Sequence, residues 1–471
     1  MQINQEQLAR QQQGAQIWFD SGKDGILDYA TGVGKTYTCS LCIRLIEEIS
    51  KDSYIVVVPG AELENQWNTK INEYFPKSLT NRIVVKTVHK ILEDNLLYEV
   101  GMLIIDEIRE FTTEERQKLL NGSIIKSKYF LGLTASGDGK NFHKVTKYHK
   151  IVDHISYNEA KEKGFVADFI EYNLGLYLTP AEKEQYDKYS EAINKLLPKF
   201  ENNLDYAQKV MAGGKDHRNN YYSGIGWAYG LAVKKGWDAN LNLSLESHRK
   251  IDELWNPNLF VGWAKRLINA IRGRKDLLYN ATAKYNTTIE LVDKFDKVKT
   301  ILFSESTTFA DRINTALNNR GHKSVVYHSN LKTKMVTSPK SGKLIKYGKI
   351  RQQKEALNDI RTGKARILST ATSLDRGLDI TDLRFSITTS GTQNPTQTKQ
   401  RTGRTTRKEA GDSIYANMPV LLVNLYIVDT QDEIWLKRRQ ENNINTPIVV
   451  GSVDEISYTP PPNSEFTVSD L

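Results

Sequence analysis

Two cysteines in 471 residues are too few for a disulfide-stapled scaffold, and they fit a reducing, cytoplasmic compartment. Long apolar runs are also missing. A membrane helix needs roughly 18 such residues, and the longest stretches here are of the order of Tyr54–Val58 and Val420–Val423, so no membrane association is expected. The opening MQINQEQLARQQQ has neither a cationic segment nor an apolar core, so no secretory signal is expected. Prolines number 12, and 39% hydrophobic residues accompany 26% charged ones, which excludes collagen-like and wholly disordered chains. No internal repeat is evident beyond two similar α/β halves. At about 150 residues per domain, a chain of this length holds roughly three domain-sized units.

Acidic residues are in deficit. Against 56 of them stand 65 Lys and Arg, giving a formal charge of +9, which favours a polyanionic partner. The excess is concentrated between Leu331 and Arg351, where Lys332, Lys334, Lys340, Lys343, Lys346, Lys349 and Arg351 meet no carboxylate. The Pro339–Gly342 turn, flanked by KMVT and KLIKY, predicts a basic hairpin there, with a solvated loop as the alternative.

From Ile26 to about Lys150, apolar runs alternate with amphipathic stretches: ILDYA, TYTCSLCIRLIEEI, YIVVV, a helix over Leu63–Tyr74, IVVKT, MLIID and YFLGL. A second series starts near Lys297 with TILFS, FADRINTALNNR, SVVYH, QKEALNDIRTG, ARILST, RFSITT and VLLVNLYIV, closed by a helix with a capping-box pattern at Thr430 and Glu433. Strands alternating with helices predict parallel sheets covered on both faces. Between the two series, TPAEKEQYDKYSEAINKLL opens an aromatic-rich segment expected to be mostly helical, with a polar loop near Ala212–Gly226. The ending TPPPNSEFTVSDL is expected to be a flexible tail.

The densest chemical signal is Ala30-Thr31-Gly32-Val33-Gly34-Lys35-Thr36, between a strand and a helix. A glycine-rich turn there lets backbone N–H groups meet phosphates at a helix N-terminus, while Lys35 adds a charge and Thr36 can ligate Mg²⁺. Taken alone, a tight strand–helix turn is the lesser alternative. The second element is MLIIDE, an apolar strand running into Asp106, suited to holding Mg²⁺ through water, and Glu107, suited to orienting an attacking water. Cys39 and Cys42, a CxxC without a second pair, are expected to be packing residues of the helix after the turn.

In order along the chain come ATGVGKT, VVVPGAELENQW, VKTVH, IIDEIR and GLTAS, then ILFSES, ILSTATSLDRGLDI and QRTGRTTR. This series resembles motifs I, Ia, Ib, II, III, IV, V and VI of superfamily-two helicases and translocases over about residues 8–437. The ATGxGKT form and the QW look most like the branch holding restriction motors, XPB and phage UvsW-like proteins. The resemblance implies two RecA-like parallel-sheet domains in tandem (1–155 and 296–450) around a mostly helical insertion (156–295), before the tail (451–471). It also implies an ATPase using ATP and Mg²⁺ that acts on DNA as a helicase or translocase, with a phage repair or recombination role on forked or branched DNA. An RNA helicase and an inactive nucleic-acid-binding scaffold are the alternatives.

Carried over position by position, the resemblance assigns phosphate and metal to Thr31, Gly32, Val33, Gly34, Lys35 and Thr36, and metal and water activation to Asp106 and Glu107. Thr134 and Ser136 would couple hydrolysis to strand movement. From the second domain, Gly377, Asp379 and Gln400 would approach the nucleotide, and Arg404 and Arg407 would act on the γ-phosphate when the cleft shuts. Gln12 is the candidate adenine reader, with Gln11 and Gln13 alongside it. Nucleic-acid contacts fall to Pro59, Thr87, Ser304 and Thr370, besides the hairpin lysines Lys340, Lys343, Lys346 and Lys349. The sequence departs from the family pattern at Arg109, where this branch usually has His, at Ala371, where Thr is common and Thr370 or Thr372 could substitute, and at Tyr29, where a smaller residue or Met is usual.

Overall fold

The structure, a computed structural model, describes residues 5–94, 96–135, 137, 141–216, 218, 220–234, 257–337, 342, 344–371, 380, 383–391, 418–441 and 446–459. The chain divides into one unit of residues 1–175 with 287–471 and a second of residues 176–286.

The first sheet holds β1 (Asp24–Tyr29), β2 (Tyr54–Val58), β3 (Ile83–Thr87), β4 (Tyr98–Ile105), β5 (Ile125–Thr134) and β6 (Ile151–Ile155), in the order β3-β2-β4-β5-β1-β6. Every pairing is parallel. Side chains alternate across a strand, so Leu27, Tyr29, Val56, Val58 and Ile104 enter one core while Ile26, Ile55, Val57, Leu103 and Ile105 enter another. Two buried faces explain why these strands read as unbroken apolar runs. β6 was not expected: it lies at the sheet edge, and its IVDHI is mostly half-buried or exposed.

The second sheet has the order β11-β14-β10-β15-β16-β7-β17. Its members are β7 (Phe169–Leu176), β10 (Thr300–Ser304), β11 (Ser324–His328), β14 (Ile367–Ala371), β15 (Phe385–Thr388), β16 (Val420–Ile427) and β17 (Ile448–Val450). β7 departs from the boundary drawn from sequence, since residues assigned there to a linker form a strand of this sheet between β16 and the edge strand β17. Its FIEYNLGL hides the pattern by burying Glu171 and Asn173. Asn424 Nδ2 donates to Glu171 Oε1 (2.8 Å) and Asn173 Oδ1 (3.1 Å), and Gln440 Nε2 donates to the same two atoms at 2.8 and 3.0 Å. Polar groups satisfied in this way can be buried at little cost. Nor is residue 451 onward uniformly loose: Val453 and Ile456 are buried, and the Tyr458 hydroxyl donates to the Arg384 carbonyl at 3.0 Å. Thr430 caps its helix by accepting from the Asp432 N–H, while Glu433 accepts from the Asp429 N–H, so the expected reciprocal box is displaced by one residue at each end.

In the same unit β12 (Lys334–Thr337) and β13 (Leu344–Tyr347) pair antiparallel, with Lys334 opposite Tyr347 and Met335 opposite Lys346. Lys334, Lys346 and Lys349 are exposed, and Arg351 is ion-paired with Glu355 at 3.1 Å.

The second unit packs the helices Pro180–Leu196, Leu204–Ala212, Gly224–Lys234 and Pro257–Tyr279 around Ile193, Phe200, Ala228, Phe260 and Leu267. Thr179 starts it with a complete capping box to Glu182 and Pro180 at the first helical position. The expected polar loop carries a short antiparallel pair, β8 (Gly214–Lys215) with β9 (Tyr221–Tyr222). Among the described residues no helix is long and apolar enough to cross a membrane.

Candidate functional site

Parallel strands end together, and ligands of such sheets bind beyond the carboxyl ends of the strands. β1 and β4 flank β5, with Asp28 level with Thr134 and Ile105 level with Gly132. The sheet therefore delivers the 30–36 turn, Asp106–Glu107 and the segment after Thr134 to one edge. In the turn, Gly32 (φ 97°) and Gly34 (φ 101°) occupy the left-handed region, and Gly34 caps the helix Lys35–Ile49. A Cβ on Gly34 would stand 2.2 Å from Gln11 Nε2, the movable end of a flexible side chain, so it is the positive φ that calls for glycine there. The Lys35 ammonium donates to the Tyr29 carbonyl at 3.2 Å, which keeps it folded over the turn. Cys39 and Cys42 are buried in the following helix, where burial pushes both thiols up and keeps them protonated.

The turn is braced from the helix Gln5–Asp20. Gln11 Nε2 donates to the Val33 carbonyl at 2.6 Å and Gln7 Nε2 to the same oxygen at 3.0 Å. Gln12, the candidate from sequence, is exposed, and Gln11 beside it is the glutamine that touches the turn. The reason is helical phase: Gln11, Gly14, Ala15 and Trp18 form the buried face and Gln7 lies one turn earlier, whereas Gln12 points away. That periodicity was available in the sequence.

Tyr29 is fully buried, and its hydroxyl donates to Asp153 Oδ2 at 2.5 Å. Arg10 grips the same carboxylate in a two-pronged pair at 2.7 and 2.8 Å. Burial alone would raise the Asp153 carboxyl, yet bonds from Arg10 and Tyr29 hold it below the usual range. β1, β6 and the first helix are thus tied together directly behind the turn. Asp28 reaches forward instead, accepting from the Gly137 N–H (3.1 Å) and facing His154 Nδ1 (3.0 Å), which anchors the segment after β5.

Asp106 is buried, and both its oxygens are occupied. Trp67 Nε1 donates to Oδ2 at 2.8 Å and the Glu107 N–H to Oδ1 at 2.9 Å. Burial and the neighbouring Glu107 push its carboxyl up to about 6, against the opposing pull of the Trp67 N–H and Lys35. Glu107 has φ 50°, a strained value for a non-glycine residue, and its Oε2 lies 3.2 Å from Arg109 Nε. Arg109 thus faces the water-orienting candidate. Trp67 is a site contact that the sequence reading missed, whereas Gln11 stood beside Gln12 as a possible register there.

Pro59 and Thr87 sit at the ends of β2 and β3, and Thr87 Oγ1 accepts from the Lys90 N–H at 3.3 Å. Ser304 and Thr370 do not fit side-chain contacts to a strand: both are buried, and the Ser304 hydroxyl accepts from the Ser306 N–H at 3.0 Å. They lie within β10 and β14 rather than in the loops beyond, so their side chains face protein. Ser136, Lys340, Lys343, Thr372, Gly377, Asp379, Gln400, Arg404 and Arg407 lie outside the described residues. Among the described residues no cluster of three or more His, Cys, Asp or Glu could hold a metal unaided. Thr36 and Asp106 are the residues that would hold a Mg²⁺ ion, which would supply charge neutralisation to nucleotide phosphates.

Residues 1–137 match the family described as "Type III restriction enzyme, res subunit", and residues 283–409 match "Helicase conserved C-terminal domain". The chain is 23% identical over 453 residues to "DNA 3'-5' translocase XPB2" of Sulfurisphaera tokodaii, covering 92% of this chain and 84% of that protein. Two structures of Saccharomyces cerevisiae Dbp5 bound to RNA and ADP BeF3 superpose with TM-scores of 0.55 and 0.52 at 12% identity, covering 94% of this chain and 90% of theirs. The tandem RecA-like fold and its helicase domains define a nucleic-acid-dependent ATPase that uses a nucleotide. Within that class the two matched domains and the similarity to a DNA translocase support a superfamily-two DNA helicase or translocase of the XPB and type III restriction type.

Proposed function

We propose that this protein hydrolyses ATP with Mg²⁺ to move along DNA, and that it remodels forked or branched DNA in phage repair or recombination. The observation carrying the nucleotide site is the delivery of Gly32, Gly34 and Lys35 to the same sheet edge as Asp106 and Glu107. Backbone N–H groups of the turn and the Lys35 ammonium hold the β- and γ-phosphates, while Thr36 and Asp106 face the metal. Glu107 orients the attacking water. Arg404 and Arg407 neutralise charge on the transferring phosphoryl group, and Gly377, Asp379 and Gln400 complete the nucleotide's surroundings. Gln11 takes the adenine-side place first assigned to Gln12, because it already touches the turn.

DNA is favoured by the similarity to a named DNA translocase along most of the chain. Contacts by Pro59, Thr87 and the backbone beyond β10 and β14 would position a strand without reading its sequence. The β12–β13 hairpin, with exposed Lys334 and Lys346, presents positive charge to a duplex or fork ahead of that strand.

The test compares ATPase and unwinding on single strands, forks, four-way junctions and RNA of equal length. Lys35→Ala should abolish turnover while DNA binding persists, and Glu107→Gln should retain bound ATP without hydrolysing it. Turnover surviving in both would overturn the nucleotide site, and stimulation by RNA alone would overturn the DNA assignment.

A further inference from the structure

Trp67 lies in the helix Ala61–Tyr74, which begins immediately after Pro59 and Gly60. Its ring is buried in the first sheet's core, and its only polar atom is bonded to Asp106. The helix is loaded from both proposed strand contacts of this sheet. Pro59 lies directly before its start. Thr87 accepts from the Lys90 N–H, and the Lys90 ammonium is 2.9 Å from Glu64 in the helix's first turn. From Gly60 to Trp67 is about two helical turns, a rigid span of roughly 10 Å. Asp106 is further tied to the same region by its N–H, which donates to the Val57 carbonyl at 3.0 Å.

We propose that Trp67 is a positioning residue: its indole N–H fixes the Asp106 carboxylate, and the helix that carries it relays strand occupancy at Pro59 and Thr87 to the metal side of the nucleotide site. The physical basis is the rotamer of Asp106. With Oδ1 held by the Glu107 N–H and Oδ2 by the indole, the carboxylate has one orientation, and moving the helix tilts one of its two anchors. Groups that orient metal-facing ligands act by this kind of bond. The relay rests on the reading of Asp106 and Pro59 given above.

The test is Trp67→Phe, which keeps the aromatic bulk and deletes the donor. Stimulated kcat should fall about 10- to 100-fold, as for other groups that orient metal ligands. The Mg²⁺ concentration for half-maximal turnover should rise, while KM for ATP at saturating Mg²⁺ stays within about twofold. The second readout needs no turnover. In protein labelled with 5-fluorotryptophan, one ¹⁹F resonance should be missing in Trp67→Phe and displaced in Asp106→Asn. In the unsubstituted chain that resonance should shift when a single-stranded oligonucleotide is added without nucleotide, and again with Mg²⁺ and a non-hydrolysable ATP analogue. Should Trp67→Phe fail to fold, the resonance displaced by Asp106→Asn identifies the indole. A resonance that ignores the oligonucleotide, or a Trp67→Phe protein equal to the unsubstituted chain in kcat and Mg²⁺ requirement while Asp106→Asn is inactive, would overturn the proposal. An active Asp106→Asn would instead overturn the reading of the site on which it rests.

Discussion

Asp106 is a buried carboxylate whose neighbours do not fully compensate for lost solvation, and its charge should therefore cost stability. Its carboxyl is pushed up to about 6 from an ordinary 3.8. A folded-state value above the unfolded one means that the folded chain prefers the proton. Below pH 3.8 both states are neutral and nothing is lost. As pH rises from there through 6, the folded state must give up a proton it holds more tightly, and stability falls. At about 1.4 kcal/mol per unit, the full cost approaches roughly 3 kcal/mol, of which about 2 accrues between pH 4.5 and 7.5. Asp106→Asn removes this titration but leaves one of the two N–H donors facing an amide N–H₂, a penalty of about 1–3 kcal/mol that does not vary with pH. The observable is therefore the slope: relative to the unsubstituted chain, the variant should gain about 2 kcal/mol of stability from pH 4.5 to 7.5. Urea unfolding followed by fluorescence in EDTA, at four pH values across that range, measures it. A stability difference flat with pH would refute the argument that burial raises this carboxyl. Mg²⁺ with an ATP analogue should cancel the gain, since a bound cation favours the charged form.

Gln11→Ala should weaken ATP binding by about tenfold, the worth of one good hydrogen bond, and Gln12→Ala should leave it unchanged; the reverse result in a fluorescent-nucleotide titration would restore Gln12 as the adenine-side residue. Tyr29→Phe deletes the bond to Asp153 while sparing the Arg10 pair, and a loss of about 1.5–3 kcal/mol in urea unfolding is expected for a bond to a charged acceptor. Replacing Lys340, Lys343, Lys346 and Lys349 together with Gln should lower the salt slope of fork binding by up to about 4 and leave nucleic-acid-free ATPase intact; an unchanged slope would make the hairpin a bystander.

The strands legible in the sequence are those buried on both faces, such as YIVVV and TILFS, because there the apolar run is itself the consequence of burial. FIEYNLGL escaped for the converse reason. Its Glu171 and Asn173 are buried against Asn424 and Gln440, partners about 250 residues away along the chain that no local pattern can reveal. The glycine-rich turn of residues 30–36 was legible because its pattern is contiguous. The Trp67–Asp106 bond was not, since it joins residues brought together only by the pairing of β2 with β4. Ser304 and Thr370, assigned by motif to strand contacts, are buried within β10 and β14, which local sequence alone does not reveal.

The placement of β7 has a consequence for biosynthesis. This strand ends at Leu176, but its neighbours in the sheet, β16 and β17, begin at Val420 and Ile448, so at least 244 residues (176 to 420) emerge from the ribosome before either can pair with it. At about 5–20 residues per second that is a wait of roughly 12–50 s. Throughout it, an eight-residue strand carrying Phe169, Tyr172 and Leu174 has both backbone edges without their final partners, while the first sheet, whose strands all precede Ser156, can already close. Unpaired edges of this kind recruit other chains. The Glu171 and Asn173 side chains that hid the strand from sequence patterning also place a charge and an amide in its middle, which guards against such pairing until Asn424 and Gln440 arrive.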